Sequence, residues 1–303
     1  MGLSLPKPFY FYSTGITLVG SGYLLRDYIG GPNYENDEKL NEKVAIVTGS
    51  NTGIGKQVVH ELAKRGAKVI MACRDMEKCE TARCDIVLTT GNKYVYCRKC
   101  DLASQESIRQ FVTQFQKEHS KLHILINNAG VMRCPKSYTN EGIEMQLGVN
   151  HMGHFLLTNL LLDVLKDSTP ARIINVSSAA HLRGTMKLKD LNSDVKYDPA
   201  GTGITVNAVH PGVVHTEIVR HMGFNNSYIS RLIVKSLLWL FVKSSMKGAQ
   251  PVLYVALDPS LQDVTGAYFS NFRMADISEE AKNDQIAKWL WVVSEKWTKL
   301  SFV

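Results

Sequence analysis

Apolar and polar positions follow two alternating rhythms along most of this chain. Five short runs are apolar almost throughout: Val44–Thr48, Val69–Ala72, Ile124–Ile126, Ile173–Val176 and Ile204–Val209. Such runs suit strands buried on both faces of a parallel sheet, where in–out alternation is lost. Between them the spacing becomes helical. Lys56–Arg65 places Val59, Leu62 and Ala63 on one face, and Gly66 is a natural stop. Ser104–Glu118 and Gly148–Leu165 predict the next two helices. Strand–helix repetition of this kind predicts an α/β fold, a doubly wound parallel sheet in a single domain.

The N-terminus has neither rhythm. Pro8–Leu25 holds no charge and is bounded by Lys7 and Arg26, about the minimum length for a membrane-spanning helix. No small-residue cleavage site follows, so residues 1–29 predict a retained anchor or targeting segment. An amphipathic surface segment and a buried helix are the alternatives. Residues 30–42 are turn-rich and acidic, a linker, and residues 43–303 form the domain.

Composition narrows the function classes. At 303 residues, 45% hydrophobic and 21% charged, the chain is an ordinary folded protein, not a disordered one. Its net charge of +7 is spread among acids with no basic run, which argues against a nucleic-acid partner. A basic surface suits a phosphorylated cofactor or an anionic membrane face. Six cysteines lack a disulfide-scaffold spacing and read as structural thiols in a reducing environment. Cys97 and Cys100 fall on opposite faces of a predicted strand, a poor geometry for one metal or one disulfide. His151 and His154 have no carboxylate partner in sequence, so no metal site is expected.

The candidate chemistry begins at the end of the first predicted strand. Gly49, Ser50, Asn51, Thr52, Gly53, Ile54 and Gly55 form a glycine-rich turn leading into a helix. That context brings backbone N–H groups and the positive helix end against a dinucleotide pyrophosphate. At the end of the second strand an acidic residue would bind an NAD ribose, but Cys73 stands there with Arg74 beside it. A guanidinium suits the 2′-phosphate of NADP(H). Asp75, one residue late, leaves NAD as the alternative.

Further motifs occur in a fixed order: Cys100-Asp-Leu102, Asn127-Asn-Ala-Gly130, Val149-Asn150, Val176-Ser-Ser178 and Pro211-Gly212. With the glycine turn they resemble the short-chain dehydrogenases/reductases, from about Lys43 to the C-terminus. Ala72–Cys79, Gly130–Cys134 and Val149–Phe155 resemble the retinol dehydrogenase group of that family. The resemblance implies an NADP(H)-dependent oxidoreductase that interconverts a retinoid or similar lipophilic alcohol and its aldehyde. It implies that Asp101 and Leu102 meet the adenine, and that Asn128, Ala129 and Gly130 line its ribose. Pro211, Gly212, Val214 and Thr216 would hold the nicotinamide end. Asn150 would anchor a water relay and Ser178 would orient the substrate carbonyl. A membrane of the endoplasmic reticulum or mitochondrion is the expected location, and a homodimer the expected assembly.

One departure from the family bears on all of this. The family's proton donor is a tyrosine with a lysine four residues later, and none of the 12 tyrosines here is followed that way. Family spacing places the tyrosine at position 191, which is Leu191. Roughly 25 family residues, a catalytic turn and a six-turn helix, are missing between Ala200 and Gly201. The alternative function is therefore a catalytically inactive nucleotide-binding chain, the product of a splice form or a shortened gene model. Loss of that helix predicts an uncovered sheet face, an exposed apolar patch and a weakened dimer. The stretch Ile229–Val242 predicts a helix that lines an apolar substrate pocket or touches a membrane, or else packs in the core.

Overall fold

The computed structural model describes residues 7–183, 204–214, 216–218 and 242–300. Its centre is β1 (Val44–Thr48), flanked by β2 (Lys68–Cys73) on one side and β4 (Ile124–Asn127) on the other. β3 (Val95–Lys99) lies beyond β2, while β5 (Ala171–Val176), β6 (Ile204–His210) and β7 (Tyr268–Ser270) extend the other wing. The resulting order is β3-β2-β1-β4-β5-β6-β7-β8, parallel until the short antiparallel edge strand β8 (Arg273–Met274). This is the doubly wound sheet that the apolar runs predict, and the chain order reverses direction between β1 and β4.

Burial on both faces explains why the strand runs do not alternate. Val47, Val69 and Met71 join one core cluster, whereas their neighbours Ile46, Ile70 and Ala72 join the other. The first cluster lies under α2 (Gly53–Lys64), α3 (Met76–Thr90) and α7 (Ser245–Leu257). The second lies under α4 (Gln105–Glu118) and α6 (Gly153–Lys166). α3 escapes a periodicity reading because its buried face is Cys79, Ala82 and Ile86, two of them small. Gly148–Leu165, expected as one helix, is interrupted. A single turn α5 (Met145–Leu147) leads through a π-helical turn, Gly148–Met152, into α6.

The C-terminal elements α7 and α8 (Asp284–Thr298) lie outside the sequence expectations. α8 packs back on α6: Trp291 meets Phe155 edge-on at 4.8 Å, and Ser294 Oγ lies 2.8 Å from His151 Nε2. On the face of β6 expected to be uncovered, Ala208 and His210 are half-buried. Val206 is only 5% exposed and belongs to the cluster of α6 leucines. The junction at Ala200–Gly201, Leu191, and Ile229–Val242 except its last residue lie outside the described residues.

α1 (Lys7–Gly30) projects from this body. Ile16 and Leu24 are 73% and 75% exposed, which excludes a buried core helix. Its C-terminal end is tied down: Lys247 Nζ on α7 meets Asp27 Oδ1 at 2.9 Å and donates to Gly31 O at 3.0 Å. Among the described residues no helix is long and apolar enough to cross a membrane.

The cysteines require a correction. Cys79 on α3 and Cys97 on β3 form a disulfide, with Cα atoms 6.0 Å apart. Cys97 belongs to the first core cluster and Cys100 to the second, so those two do face apart. The sequence reading missed the pair because it depends on how α3 docks onto β3. Burial raises the Cys100 thiol to about 12, and burial also raises that of Cys73. A non-reducing peptide map is expected to link Cys79 to Cys97. Cys79→Ala should lower unfolding free energy by about 3 kcal/mol in a denaturant titration.

Candidate functional site

The sequence-predicted residues converge on the carboxyl edge of the sheet, where β1 turns into α2. The turn needs its glycines. Gly49 and Gly53 take φ of 61° and 58°, a region that disfavours side chains. A Cβ on Gly55 would lie 2.5 Å from Asn128 Nδ2 and 2.6 Å from Gly49 O. A Cβ on Gly49 would strike the Ala129 backbone at 2.8 Å. Ser50 is buried, its hydroxyl donating to Val47 O at 3.0 Å. Thr52 N-caps α2 without a side-chain hydrogen bond. The first N–H groups of α2 thus point out of a narrow backbone cradle, an arrangement that suits a phosphate. Thr216 closes over Gly53, and Ile54 packs near Gly248 beside Val214.

Thr48, at the end of β1, joins this cradle to the next loop. Its hydroxyl oxygen accepts the N–H groups of Asn128 and Ala129, each at 2.9 Å. The Asn128 amide donates back to Thr48 O at 2.9 Å. Gly130 follows, with Asn150 Oδ1 and Ile218 in contact range of a Cβ placed on it. Asn150 sits on the π turn and grips Val131 from both ends. Its Oδ1 accepts the Val131 N–H at 2.8 Å and its Nδ2 donates to Val131 O at 2.9 Å.

At the ends of β2 and β3 the charges sort themselves. Asp75 caps α3, its Oδ1 accepting the Lys78 N–H at 3.1 Å, and that bond holds its carboxyl below the usual range. Arg74 is exposed, and Lys99 Nζ donates to its carbonyl at 2.8 Å. Asp101 turns one carboxylate oxygen to the Ala103 N–H at 3.0 Å, while Leu102 is buried with its carbonyl beneath Gly153.

Residues 43–226 match the short chain dehydrogenase family. The chain belongs to that family. Retinol dehydrogenase 13 of Mus musculus is 46% identical over 303 residues, covering 92% of this chain and 91% of that protein. Retinol dehydrogenase 11 of Homo sapiens is 44% identical over 281 residues, covering 84% of this chain and 86% of that protein. Among solved structures, an uncharacterised protein of Mycobacterium paratuberculosis superposes with a TM-score of 0.68. It is 30% identical, with 89% of this chain and 98% of that one covered. A short chain dehydrogenase of Shigella flexneri complexed with NADP shares the fold at a TM-score of 0.61. It is 20% identical, covering 78% of this chain and all of that one.

Ser178 follows β5 and is exposed; its Oγ accepts the Ala180 N–H at 3.2 Å. His210, at the end of neighbouring β6, accepts the Ala179 N–H through Nδ1 at 3.3 Å. Pro211 and Gly212 follow, Gly212 at φ 92° against the Lys243 side chain. Burial, then the charge of Lys247, lowers the Lys243 pKa. No group of side chains among the described residues could hold a metal.

His151 and His154 escaped the sequence reading as structural parts of this edge. His154 is buried and His151 half-buried, and desolvation favours the neutral form of both, lowering His151 from 6.5 to about 3 and His154 to about 4. Because these folded-state values lie below the unfolded one, the unfolded chain takes up protons first as pH falls. Stability is therefore full above about pH 6.5 and declines toward pH 4, by about 3 kcal/mol from His154 alone. Unfolding free energies measured across that window are expected to show the decline. Gly55→Ala is expected to abolish nucleotide binding in a fluorescence titration, because the added methyl has no backbone-free space.

Proposed function

We propose that this chain is an NADP(H)-binding oxidoreductase of the retinol dehydrogenase type, directed at a retinoid or similar lipophilic alcohol or aldehyde. The observation that carries the cofactor choice is the charge arrangement at the β2 and β3 ends. Asp75, the one carboxylate that could serve an NAD ribose, is engaged as the cap of α3. Arg74 is exposed beside Lys99, whose Nζ donates to the Arg74 carbonyl, and two cations at these strand ends favour a 2′-phosphate. The substrate class is argued from the names of the relatives and from the extent of their match.

The residues divide the work accordingly. The cradle from Gly49 to Gly55 and the start of α2 hold the pyrophosphate, while Arg74 holds the 2′-phosphate. Asp101 and Leu102 flank the adenine, and Asn128, Ala129 and Gly130 line its ribose. Pro211, Gly212, Val214 and Thr216 hold the nicotinamide end. When bound, the nicotinamide exchanges hydride with the substrate carbon. Ser178 orients the substrate oxygen, and Asn150 holds the loop after Gly130 and anchors the water that would relay the proton.

A second reading rests on one specific observation: no tyrosine has a lysine four residues on. Free tyrosine, with a pKa of about 10, needs such a cation to exchange protons near neutrality. The chain as it stands is then a nucleotide-binding member of the family with little or no turnover.

NADPH is expected to bind more tightly than NADH, and Arg74→Asp to weaken NADPH roughly tenfold to hundredfold with little change for NADH. Equal affinities would remove the NADP assignment. On the second reading retinal-dependent oxidation of NADPH matches the protein-free control; robust turnover sinks that reading and supports the first.

We also propose that α1 attaches the domain to a membrane of the endoplasmic reticulum or mitochondrion. Its exposed Tyr12, Ile16, Val19, Leu24 and Tyr28 offer apolar and aromatic surface to the interface. In vesicle flotation the unaltered chain should float, and a chain with Ile16→Glu and Leu24→Glu should stay at the bottom.

A further inference from the structure

Three strong hydrogen-bonding partners surround the Thr48 hydroxyl, and only one proton arrangement satisfies them all. His154 Nδ1 lies 3.1 Å from Asn150 O, and a carbonyl oxygen can only accept. The proton therefore sits on Nδ1. Burial keeps the ring neutral, with its pKa lowered to about 4, so Nε2 carries a lone pair. Nε2 is 2.9 Å from Thr48 Oγ1 and accepts the hydroxyl proton. Both lone pairs of Oγ1 are then available to the N–H groups of Asn128 and Ala129 at 2.9 Å each.

We propose that His154 is a positioning residue for the nucleotide site, fixing the Thr48 hydroxyl so that it holds the Asn128–Gly130 loop against the glycine turn. The same ring grips the carbonyl of Asn150, whose side chain pins Val131. One imidazole thus spans the π turn and the end of β1. A rival acceptor exists: Ile126 O lies 3.4 Å from the Thr48 hydroxyl. Without His154 the hydroxyl turns toward that carbonyl, and its lone pairs turn away from the loop. The other nearby titratable ring, His151, is bonded to Ser294 instead and leaves the tautomer to Asn150 and Thr48.

The proposal rests on the nucleotide-binding reading above, and the test separates the two. On the full chain, two-bond proton–nitrogen spectra of His154 should report a neutral ring protonated at Nδ1. His154→Phe, which keeps bulk and removes both hydrogen bonds, should raise the NADPH Kd about tenfold with the circular dichroism spectrum unchanged. His154→Gln, whose amide oxygen can accept the Thr48 hydroxyl, should recover most of that loss. A ring protonated at Nε2 overturns the proposal, and so does wild-type affinity in His154→Phe. Equal loss in a folded His154→Gln assigns the effect to ring packing and also overturns it. Should His154→Phe fail to fold, the tautomer and the glutamine variant decide. Absence of NADPH binding by the unaltered chain sinks the underlying reading, whatever the tautomer.

Discussion

Everything at the carboxyl edge of the sheet hangs on the Thr48 hydroxyl. It sits where the central strand stops pairing and becomes the glycine turn, and it is 1% exposed. A buried hydroxyl in that position must be satisfied by protein, since water cannot reach it, and leaving it unpaired costs about 1–3 kcal/mol. Satisfaction comes from the loop after β4 and from α6, segments far apart in sequence. These bonds tie the end of β1 to the loop after its sheet neighbour β4 and to the helix that follows the π turn. The glycines then have to be glycines because Asn128 and Ala129 have been drawn so close.

Partners distant in sequence also hold β5 and β6 together. These strands pair in register from Ala171 with Ile204 to Val176 with Val209. That pairing rests on backbone hydrogen bonds and on residues buried to both faces, with α7 on one side and α6 on the other. The tyrosine and lysine of the family pattern supply acid chemistry and not strand register. The eight-stranded sheet and the glycine cradle do not depend on that pair for their packing.

Legibility followed the locality of the physics. β1 was read to the residue, because Val44–Thr48 is an apolar run and two-faced burial leaves that trace directly in sequence. α4 was read nearly as well, since Ile108, Phe111, Val112 and Phe115 repeat with a helical period. α3 was not, because two of the three residues on its core face, Cys79 and Ala82, are small. α7 and α8 were missed for different reasons: α7 is buried on nearly all sides, with Pro251 inside it, and α8 finds its core partners on α6. The glycine turn was legible because turn geometry is local. That Asp75 is consumed as a helix cap was not, since capping depends on where α3 begins.

The sequence by itself determined the fold class, the family, the cofactor cradle and the absence of a Tyr-x3-Lys pair, all of which are statements about residue type and short-range spacing. Only the tertiary structure decided the Cys79–Cys97 bond, the burial of Val206 and the hydrogen-bond partners of His154. Each depends on which atoms meet across segments distant in the chain, and a one-dimensional period contains no information about that. His154 shows the difference most plainly. In sequence it is one of two histidines at a spacing that resembles a metal pair, and in three dimensions its two nitrogens are assigned by a carbonyl and a hydroxyl.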